Sequence, residues 1–205
     1  MSADLLVATS NPGKLREFRG LLPASIRIQS LADVGLTAPP ETGDSFQDIA
    51  MTKAQLAASA AQMVTLADDS GLEVDALGGA PGIRSARYAG DPPSTERNCA
   101  LLLRQLKEVS REHRTARFVC VVALASPFGV IATERGYCHG HIAFEPSGSN
   151  GFGYDPLFLL PDGRSMASIL EQEKNAISHR AMACRAILPT LVKTLGLVDE
   201  EVESL

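Results

Sequence analysis

A lysine follows a run of small polar residues at the point where the first predicted strand meets the first predicted helix. The strand is the apolar stretch 5–8, and residues 9–14 read Thr-Ser-Asn-Pro-Gly-Lys. Such a turn directs backbone N–H groups and the positive end of a helix toward an anion, and the lysine adds a full charge. A capped helix with an exposed lysine would give the same pattern. The candidate phosphate-binding residues are Thr9, Ser10, Asn11, Pro12, Gly13 and Lys14.

Two aspartates, Asp68 and Asp69, follow the apolar stretch 64–67 and precede Ser70 and Gly71. Ligands of α/β sheets usually bind at the carboxyl ends of strands, which favours a site here. Because neighbouring strand residues point to opposite faces, we expect one aspartate to face the ligand. Carboxylates suit Mg²⁺, and Glu41 offers a second one. A simple capping turn that ends the strand, before a further strand with alternating apolar residues, is the alternative.

Residues 151–155 read Gly-Phe-Gly-Tyr-Asp. Two glycines allow a backbone to approach a ligand closely, and the aromatic rings offer a flat surface for a nucleobase. Phe152 is the candidate stacking residue. A glycine-containing strand edge with its aromatic rings turned into the core would explain the same residues.

A group of hydrogen-bond donors, residues 174–180, opens the last predicted helix. Ser178 is a possible cap, which leaves His179 and Arg180 in the first helical turn. Cations there oppose the helix dipole unless an anion is bound, so the segment suggests a binding site, although a solvated basic turn remains the alternative. Pro189 should kink or break the same helix.

Hydrophobic periodicity predicts an α/β fold. The remaining predicted strands cover residues 26–30, 118–125, 130–141 and 157–160, and the two in the middle form a hairpin. Helices are expected to begin at Asn11, at residue 44 or 45, and near Ser94. The last of these runs to about residue 108, after a long loop at residues 78–93.

Composition bounds the class of protein. The chain of 205 residues fits one cooperative domain, with an acidic tail from about residue 199 that we expect to be frayed. A net charge of −5 argues against binding to a nucleic acid polymer. No apolar run is long enough for a membrane span and no secretory signal is present, which favours the cytoplasm. The four cysteines are too far apart for a metal or redox motif, and we interpret them as packing residues.

Five motifs occur in order between residues 5 and 195: TSNPGK, ETGDSF, DDSGLEVDALGGAPGIRSARYAG, GFGYDPLF and EKNAISHR. Together they resemble the inosine triphosphate pyrophosphatase family. That resemblance implies a long, mixed, twisted central sheet flanked by helices, in two lobes with a substrate cleft between them, and a homodimer. It also implies hydrolysis of ITP, dITP and XTP to the monophosphate and pyrophosphate with Mg²⁺, which removes deaminated purines from the nucleotide pool.

The resemblance also implies roles for individual residues. Asp69 would be the catalytic carboxylate and would hold the metal together with Glu41. The triphosphate would lie against residues 9–14 and Lys53, and Ser70 would contact the substrate. The purine and nearby groups would be bound by Phe152, Gly153, Tyr154, Asp155, Lys174, His179 and Arg180.

Three segments depart from the family pattern. Ile49 replaces the usual asparagine, which puts a metal or water role for that segment in doubt; Ser168-Ile169 replaces the usual Glu-Leu, and Ala181 replaces a common glycine. A Maf-like nucleotide pyrophosphatase is the nearest rival, and GFGYDP and SHR count against it. A nucleotide-binding module without catalysis would be expected to lack the carboxylates. A Rossmann dehydrogenase is disfavoured because no GxGxxG follows the first strand.

Overall fold

The computed structural model describes residues 3–197, so the predicted frayed tail lies outside the described residues. The strands are β1 (Ala3–Val7), β2 (Ile26–Ser30), β3 (Thr65–Val74), β4 (Thr115–Ser126), β5 (Gly129–Ile142) and β6 (Phe158–Leu159). The α-helices are α1 (Pro12–Leu21), α2 (Phe46–Ala61), α3 (Thr95–Gln105), α4 (Glu171–Ile177) and α5 (His179–Thr194). Short 3-10 helices cover Asp75–Leu77, Gly82–Arg87, Arg111–His113, Asp155–Leu157 and Met166–Ser168.

The six strands form one mixed sheet in the order β2-β1-β3-β4-β5-β6. Strand β1 pairs in parallel with both β2 and β3, and β6 pairs antiparallel with β5. Strands β4 and β5 are neighbours joined by only Pro127 and Phe128, a connection that antiparallel strands alone can make. The predicted α/β class with a mixed central sheet flanked by helices is confirmed.

The chain divides into two compact units. The first contains Met1–Asp69, Cys120–Gly136 and Arg180–Leu205, and its described part has a core of residues such as Leu5, Phe18, Leu66, Val122 and Ile187. The second contains Ser70–Val119 and Tyr137–His179, with a separate core that includes Leu72, Leu102, Phe118, Tyr154 and Phe158. The prediction that these form a single domain stays a prediction.

The helix starts follow the predicted capping signals. Asn11 caps α1, with Pro12 in its first turn, and the Ser45 side chain accepts a hydrogen bond from the Asp48 N–H at the start of α2. Ser94 caps α3 in the same way. These caps matter because α1 and α2 carry Lys14 and Lys53.

Buried cysteines contribute to both cores, as predicted. Cys120 and Cys184 belong to the first core and Cys138 to the second, while Cys99 is half-buried. No helix among residues 3–197 is long and apolar enough to cross a membrane.

Two predictions about local structure are wrong. The Asp-Asp-Ser-Gly segment does not end a strand: β3 continues through it from Thr65 to Val74. Residues 174–180 do not open one helix, because Lys174 lies in α4 and α5 begins at His179. Helix α5 continues past Pro189 to Thr194, so the proline does not break it, and the predicted kink stays a prediction.

Candidate active site

Asp68 is completely buried in β3 and is surrounded by donors from other elements. Its Oδ2 atom lies 2.8 Å from Arg180 Nη2 and 3.1 Å from Lys14 Nζ, and the Cys120 thiol donates to it at 3.8 Å. Burial alone would raise the pKa of Asp68. The charges of Lys14, Arg180 and Lys53 outweigh that effect and hold this pKa well below its usual range. Asp68 is therefore a permanent buried anion with positive partners.

Asp69, the next residue, has a different environment. Only 7% of its surface is exposed, and its buried Oδ2 atom has no hydrogen-bond partner among residues 3–197. Burial raises the pKa of Asp69 to about 6; Lys14 and Lys53 lower it, and the carboxylates of Asp68 and Glu41 raise it further. A carboxylate with this pKa is mostly ionised at neutral pH and still basic enough to accept a proton.

Lys53 connects the aspartates with the loop before α2. Its side chain is almost fully buried on the inner face of α2, and its Nζ atom donates to the Asp68 carbonyl oxygen at 2.7 Å. The same atom lies 3.5 Å from Glu41 Oε1, whose side chain is 41% exposed. Lys53 thus brings a positive charge to a position between a buried strand and an accessible carboxylate.

The loop that carries Glu41 is packed closely on the first turn of α2. A Cβ atom added to Gly43 would lie 2.8 Å from Asp48 Cβ and 3.1 Å from Ile49 Cγ1, too close for an unchanged loop. The Ile49 side chain is buried. The hydrophobic residue that departs from the family pattern therefore packs inside the first unit.

The residues of this group are chemically suited to a divalent cation. Asp69 presents a buried oxygen atom without a donor partner, and Glu41 is near enough to raise the pKa of Asp69. Mg²⁺ prefers carboxylate oxygens and usually takes one or two from a protein, with water and phosphate completing its shell. No group of three or more His, Cys, Asp or Glu side chains arranged for a metal occurs within residues 3–197. The donor set fits Mg²⁺ held jointly with phosphates.

The turn at residues 9–14 differs from the predicted anion cradle in one respect. The Asn11 Oδ1 atom accepts hydrogen bonds from the N–H groups of Gly13 at 2.8 Å and Lys14 at 3.2 Å. Thr9 is buried, and its hydroxyl accepts from the Asn11 N–H. These N–H groups already serve the helix cap, so the expectation that they are open to an anion is wrong at Gly13 and Lys14. The positive charge of Lys14 is therefore the feature of this turn that is best suited to bind phosphate.

Arg180 has a carboxylate on each side. Its guanidinium, with no exposed surface, donates to Asp68 and to Glu17, a buried residue of α1. The sequence alone did not predict a role for Glu17, and it did not predict that Asp68 pairs with Arg180. A buried acid at the edge of an amphipathic helix is the only local signal, and its partner lies 163 residues away in the chain.

In the second unit, Asp155 organises the glycine-rich loop. Its buried Oδ2 atom accepts from the Phe152 N–H at 2.8 Å and lies 2.7 Å from Lys174 Nζ. The Lys174 ammonium also lies 4.8 Å from the centre of the Phe152 ring, a cation–π contact. A partly exposed aromatic face thus lies next to a buried ion pair, an arrangement suited to a flat, polar ligand.

Tyr154 and His179 contact other protein groups. The Tyr154 side chain is buried and its hydroxyl donates to the Ser85 carbonyl oxygen at 2.9 Å. The His179 ring is stacked on Phe118, with 4.9 Å between ring centres. Ser70, the first residue of the second unit, is partly buried in β3.

The predicted site residues therefore form two groups. The first unit contains the acids and cations suited to metal and phosphate, namely Asp69, Glu41, Lys14 and Lys53, together with Arg180. The second unit contains Ser70, residues 152–155, Lys174 and His179. The substrate contacts assigned to these residues stay predictions.

Comparisons with known proteins agree on one family. The sequence profile of the Ham1 family matches residues 5–190. A protein of Bacillus subtilis named dITP/XTP pyrophosphatase is 44% identical over 187 residues, which cover 90% of this chain and 94% of that protein. A protein of the same name from Geobacillus kaustophilus is 48% identical over 184 residues, which cover 88% and 90% of the two chains.

Solved structures support the same relationship. The Ham1 protein of Coxiella burnetii has a TM-score of 0.83 at 37% identity, covering 93% of this chain and 99% of that one. A structure from Mycobacterium abscessus, described as a nucleoside-triphosphatase and dITP/XTP pyrophosphatase, has a TM-score of 0.73 at 43% identity. It covers 91% of this chain and 99% of that one.

Proposed function

The chain belongs to the Ham1 family, and from this premise we propose that it hydrolyses ITP, dITP and XTP to the nucleoside monophosphate and pyrophosphate. Relatives that are 44 to 49% identical over most of the chain are named dITP/XTP pyrophosphatase. The protein is thus an enzyme, a hydrolase of phosphoric anhydride bonds. This hydrolysis would remove deaminated purine nucleotides from the nucleotide pool.

One observation carries the chemical part of the proposal: Asp69 has a raised pKa of about 6 and a buried oxygen without a donor partner among the described residues. In the proposed reaction this carboxylate orients the attacking water and accepts its proton as the oxygen attacks phosphorus. The pyrophosphate leaves as the phosphorus–oxygen bond breaks. A general base contributes about 10²- to 10⁴-fold to such a step.

Lys14 and Lys53 supply the positive charge for the triphosphate. Both act on the electrostatics of Asp69, and Lys14 is also paired with Asp68. With phosphate bound, the Lys14 ammonium would interact with phosphate oxygens in addition to Asp68. This pairing holds the Lys14 side chain beside Asp68 in the absence of substrate.

We assign Mg²⁺ to the carboxylates of Asp69 and Glu41. A bound Mg²⁺ ion would neutralise phosphate charge and make the phosphorus under attack more electrophilic. The protein's own contribution is to keep Glu41 accessible and Asp69 buried, with Lys53 near both.

The purine is assigned to residues of the second unit. Phe152 would stack on the base, and the ammonium of Lys174, held by Asp155, would donate to its oxygen-bearing edge. A 6-oxo purine presents an acceptor where adenine presents a donor, so adenine would leave buried donors unpaired. His179, Ser70 and Gly153 are kept as predicted contacts.

We also propose a homodimer that acts in the cytoplasm. The resemblance to the inosine triphosphate pyrophosphatase family supports the dimer, and the nature of the substrate, a component of the free nucleotide pool, supports the location. Size-exclusion chromatography with light scattering tests the first proposal directly.

The function is tested by measuring pyrophosphate release from ITP, XTP, GTP and ATP with Mg²⁺. Wild-type protein should prefer ITP and XTP, and Asp69→Asn should lose this activity while the exposed control Asp91→Asn keeps it. Addition of EDTA should abolish turnover and excess Mg²⁺ should restore it. Equal turnover of all four nucleotides would favour the Maf-like alternative, and no turnover of any would favour a binding module.

A further inference from the structure

Ser85 is a buried meeting point of hydrogen bonds in the second unit. It lies in the 3-10 helix Gly82–Arg87, and its hydroxyl accepts from the Leu72 N–H of β3 at 2.9 Å and donates to the Gly82 carbonyl oxygen at 2.6 Å. Its own carbonyl oxygen accepts from the Tyr154 hydroxyl at 2.9 Å and from Asn98 Nδ2 at 3.2 Å. One residue thereby joins a strand, a helix and the glycine-rich loop.

Asn98, on α3, is the second member of this cluster. Its Nδ2 atom also donates to the Ala86 carbonyl oxygen at 2.9 Å, and its Oδ1 atom accepts from the Ala89 N–H at 2.8 Å. The side chain is 4% exposed and uses both its donor and its acceptor ends on backbone groups. Neither aspartate nor leucine could reproduce these bonds, because aspartate lacks the donors and leucine lacks both.

Tyr154 connects this cluster with the proposed purine-binding loop. Its hydroxyl is bonded to Ser85, while the residue after it, Asp155, accepts from the Phe152 N–H and pairs with Lys174. The thiol of Cys99, next to Asn98 on α3, donates to the Gly153 carbonyl oxygen at 3.7 Å. Helix α3 therefore contacts the loop directly through Cys99, whereas Asn98 reaches the loop only through the Ser85 carbonyl that it shares with Tyr154.

We propose that Ser85 and Asn98 are positioning residues that hold the loop 151–155 through the Tyr154 hydroxyl, and that they set purine affinity and selectivity. This inference rests on the proposed function. The described hydrogen bonds of the cluster all lie within the second unit, whereas Asp69, Lys14 and Lys53 belong to the first. Loosening the cluster should therefore weaken the binding of the base in the ground state and the transition state alike, which raises KM and leaves kcat nearly unchanged.

The test compares Tyr154→Phe, Ser85→Ala and Asn98→Ala with the wild type. Each removes hydrogen bonds to backbone or hydroxyl groups without adding charge. Tyr137→Phe and Ser110→Ala are the matched controls, since both residues are exposed elsewhere in the second unit. The measurements are KM and kcat for ITP and ATP, together with the melting temperature of each variant.

We expect KM for ITP to rise about three- to tenfold in each cluster variant, with kcat within about twofold of wild type. The preference for ITP over ATP should fall, and Ser85→Thr, which keeps the hydroxyl, should restore much of the affinity. The controls should match the wild type. If Asn98→Ala does not fold, Tyr154→Phe still tests whether the bond between the cluster and the loop 151–155 sets KM, because this change removes only one oxygen atom.

Two results would overturn the inference: a lowered melting temperature with unchanged KM, or a fall in kcat with unchanged KM. The first result would show that the cluster contributes to the stability of the fold and not to substrate binding. Failure of the proposed function has a different signature, since wild-type protein would then release no pyrophosphate from ITP under any condition tested.

Discussion

Arg180 Nη2 lies 2.8 Å from Asp68 Oδ2, and neither side chain has any exposed surface. The guanidinium also pairs with Glu17, so one buried cation is shared by two buried anions. The resemblance to known enzymes assigns Arg180 to the nucleotide. Its described contacts indicate a structural role, because Arg180 holds the Asp68 side chain beside Lys14. Asp68 directly precedes Asp69 in β3.

Replacing Arg180 should therefore be costly to stability. Arg180→Met would leave the carboxylates of Asp68 and Glu17 buried without this partner, and we expect a loss of about 3 to 5 kcal/mol in the free energy of unfolding. Urea denaturation of the metal-free protein measures this loss. Arg27→Met is the control, because Arg27 and Asp4 form an exposed pair at the surface and should contribute little.

A stability of Arg180→Met equal to that of the control would contradict this account. It would mean that water reaches the two carboxylates in the native protein. Arg180→Lys should give an intermediate loss, since an ammonium keeps the charge but cannot bond to two carboxylates with the geometry of a guanidinium.

The sequence predicted the parts of the site that depend on local signals. Asn11 and Pro12 start α1 at the predicted place, and Ser45 starts α2, because capping depends on residues within one turn. The prediction that the Asp-Asp-Ser-Gly segment ends a strand is wrong for the same reason: its composition favours turns, and only distant partners show that β3 continues through it.

Those partners are far away in the chain. Asp68 is stabilised inside a strand by Lys14, Lys53 and Arg180, and the last of these lies 112 residues away. Local pattern cannot identify a buried ion pair of that separation. Tyr154 is a similar case, since its hydroxyl partner in Ser85 lies 69 residues away.

The environment of Asp69 predicts a pH-dependent cost in the metal-free protein. Burial raises the pKa of this carboxyl from 3.8 to about 6, so the native state binds the proton more tightly than the unfolded chain does. The stabilisation is therefore present below pH 4 and is lost as the pH rises through about 6. Asp69→Asn, which carries no charge at any pH, should be more stable than wild type at pH 7 by up to about 3 kcal/mol.

Thermal or urea unfolding in EDTA at pH 4 and pH 7 measures this difference. The gap between Asp69→Asn and wild type should widen between these two values. A gap that stays constant with pH would show that the Asp69 pKa is not raised. Asp91→Asn, with a side chain 76% exposed, should show little change at either pH.

Lys14 should act on substrate affinity through its charge. Lys14→Met removes an ammonium that is 13% exposed and lies 3.1 Å from Asp68, and we expect KM for ITP to rise about tenfold or more. The same change should raise the pKa of Asp68, because the Lys14 charge is the largest influence that lowers it. Lys107→Met, whose side chain is 80% exposed, is the control.

Steady-state kinetics at low and high KCl distinguish the effect of the Lys14 charge from the effect of its packing. Salt screens an electrostatic attraction, so the ratio of KM between Lys14→Met and wild type should decrease as KCl is added. A ratio independent of salt would contradict an attraction that acts through the solvent. Lys107→Met should follow the wild type at both concentrations.

Gly151 permits the glycine-rich loop to close on Asp155. Its φ angle is +76°, and an added Cβ would collide with the Asp155 Oδ2 atom that accepts from Phe152 and pairs with Lys174. Gly151→Ala should therefore displace this carboxylate and raise KM for ITP, with a lower melting temperature. Gly163→Ala is a matched control, because Gly163 has a φ angle of +88° and open space where its Cβ would lie.

Both alanines carry the cost of a positive φ angle, about 1 kcal/mol. The loss of stability shared by the two variants measures that backbone cost, and any further loss in Gly151→Ala measures the collision. Steady-state kinetics then show how the collision affects substrate binding. KM should rise only for Gly151→Ala, because only that loop carries Phe152 and Asp155. Equal KM values in the two variants would show that the position of the Asp155 carboxylate does not govern how the base is bound.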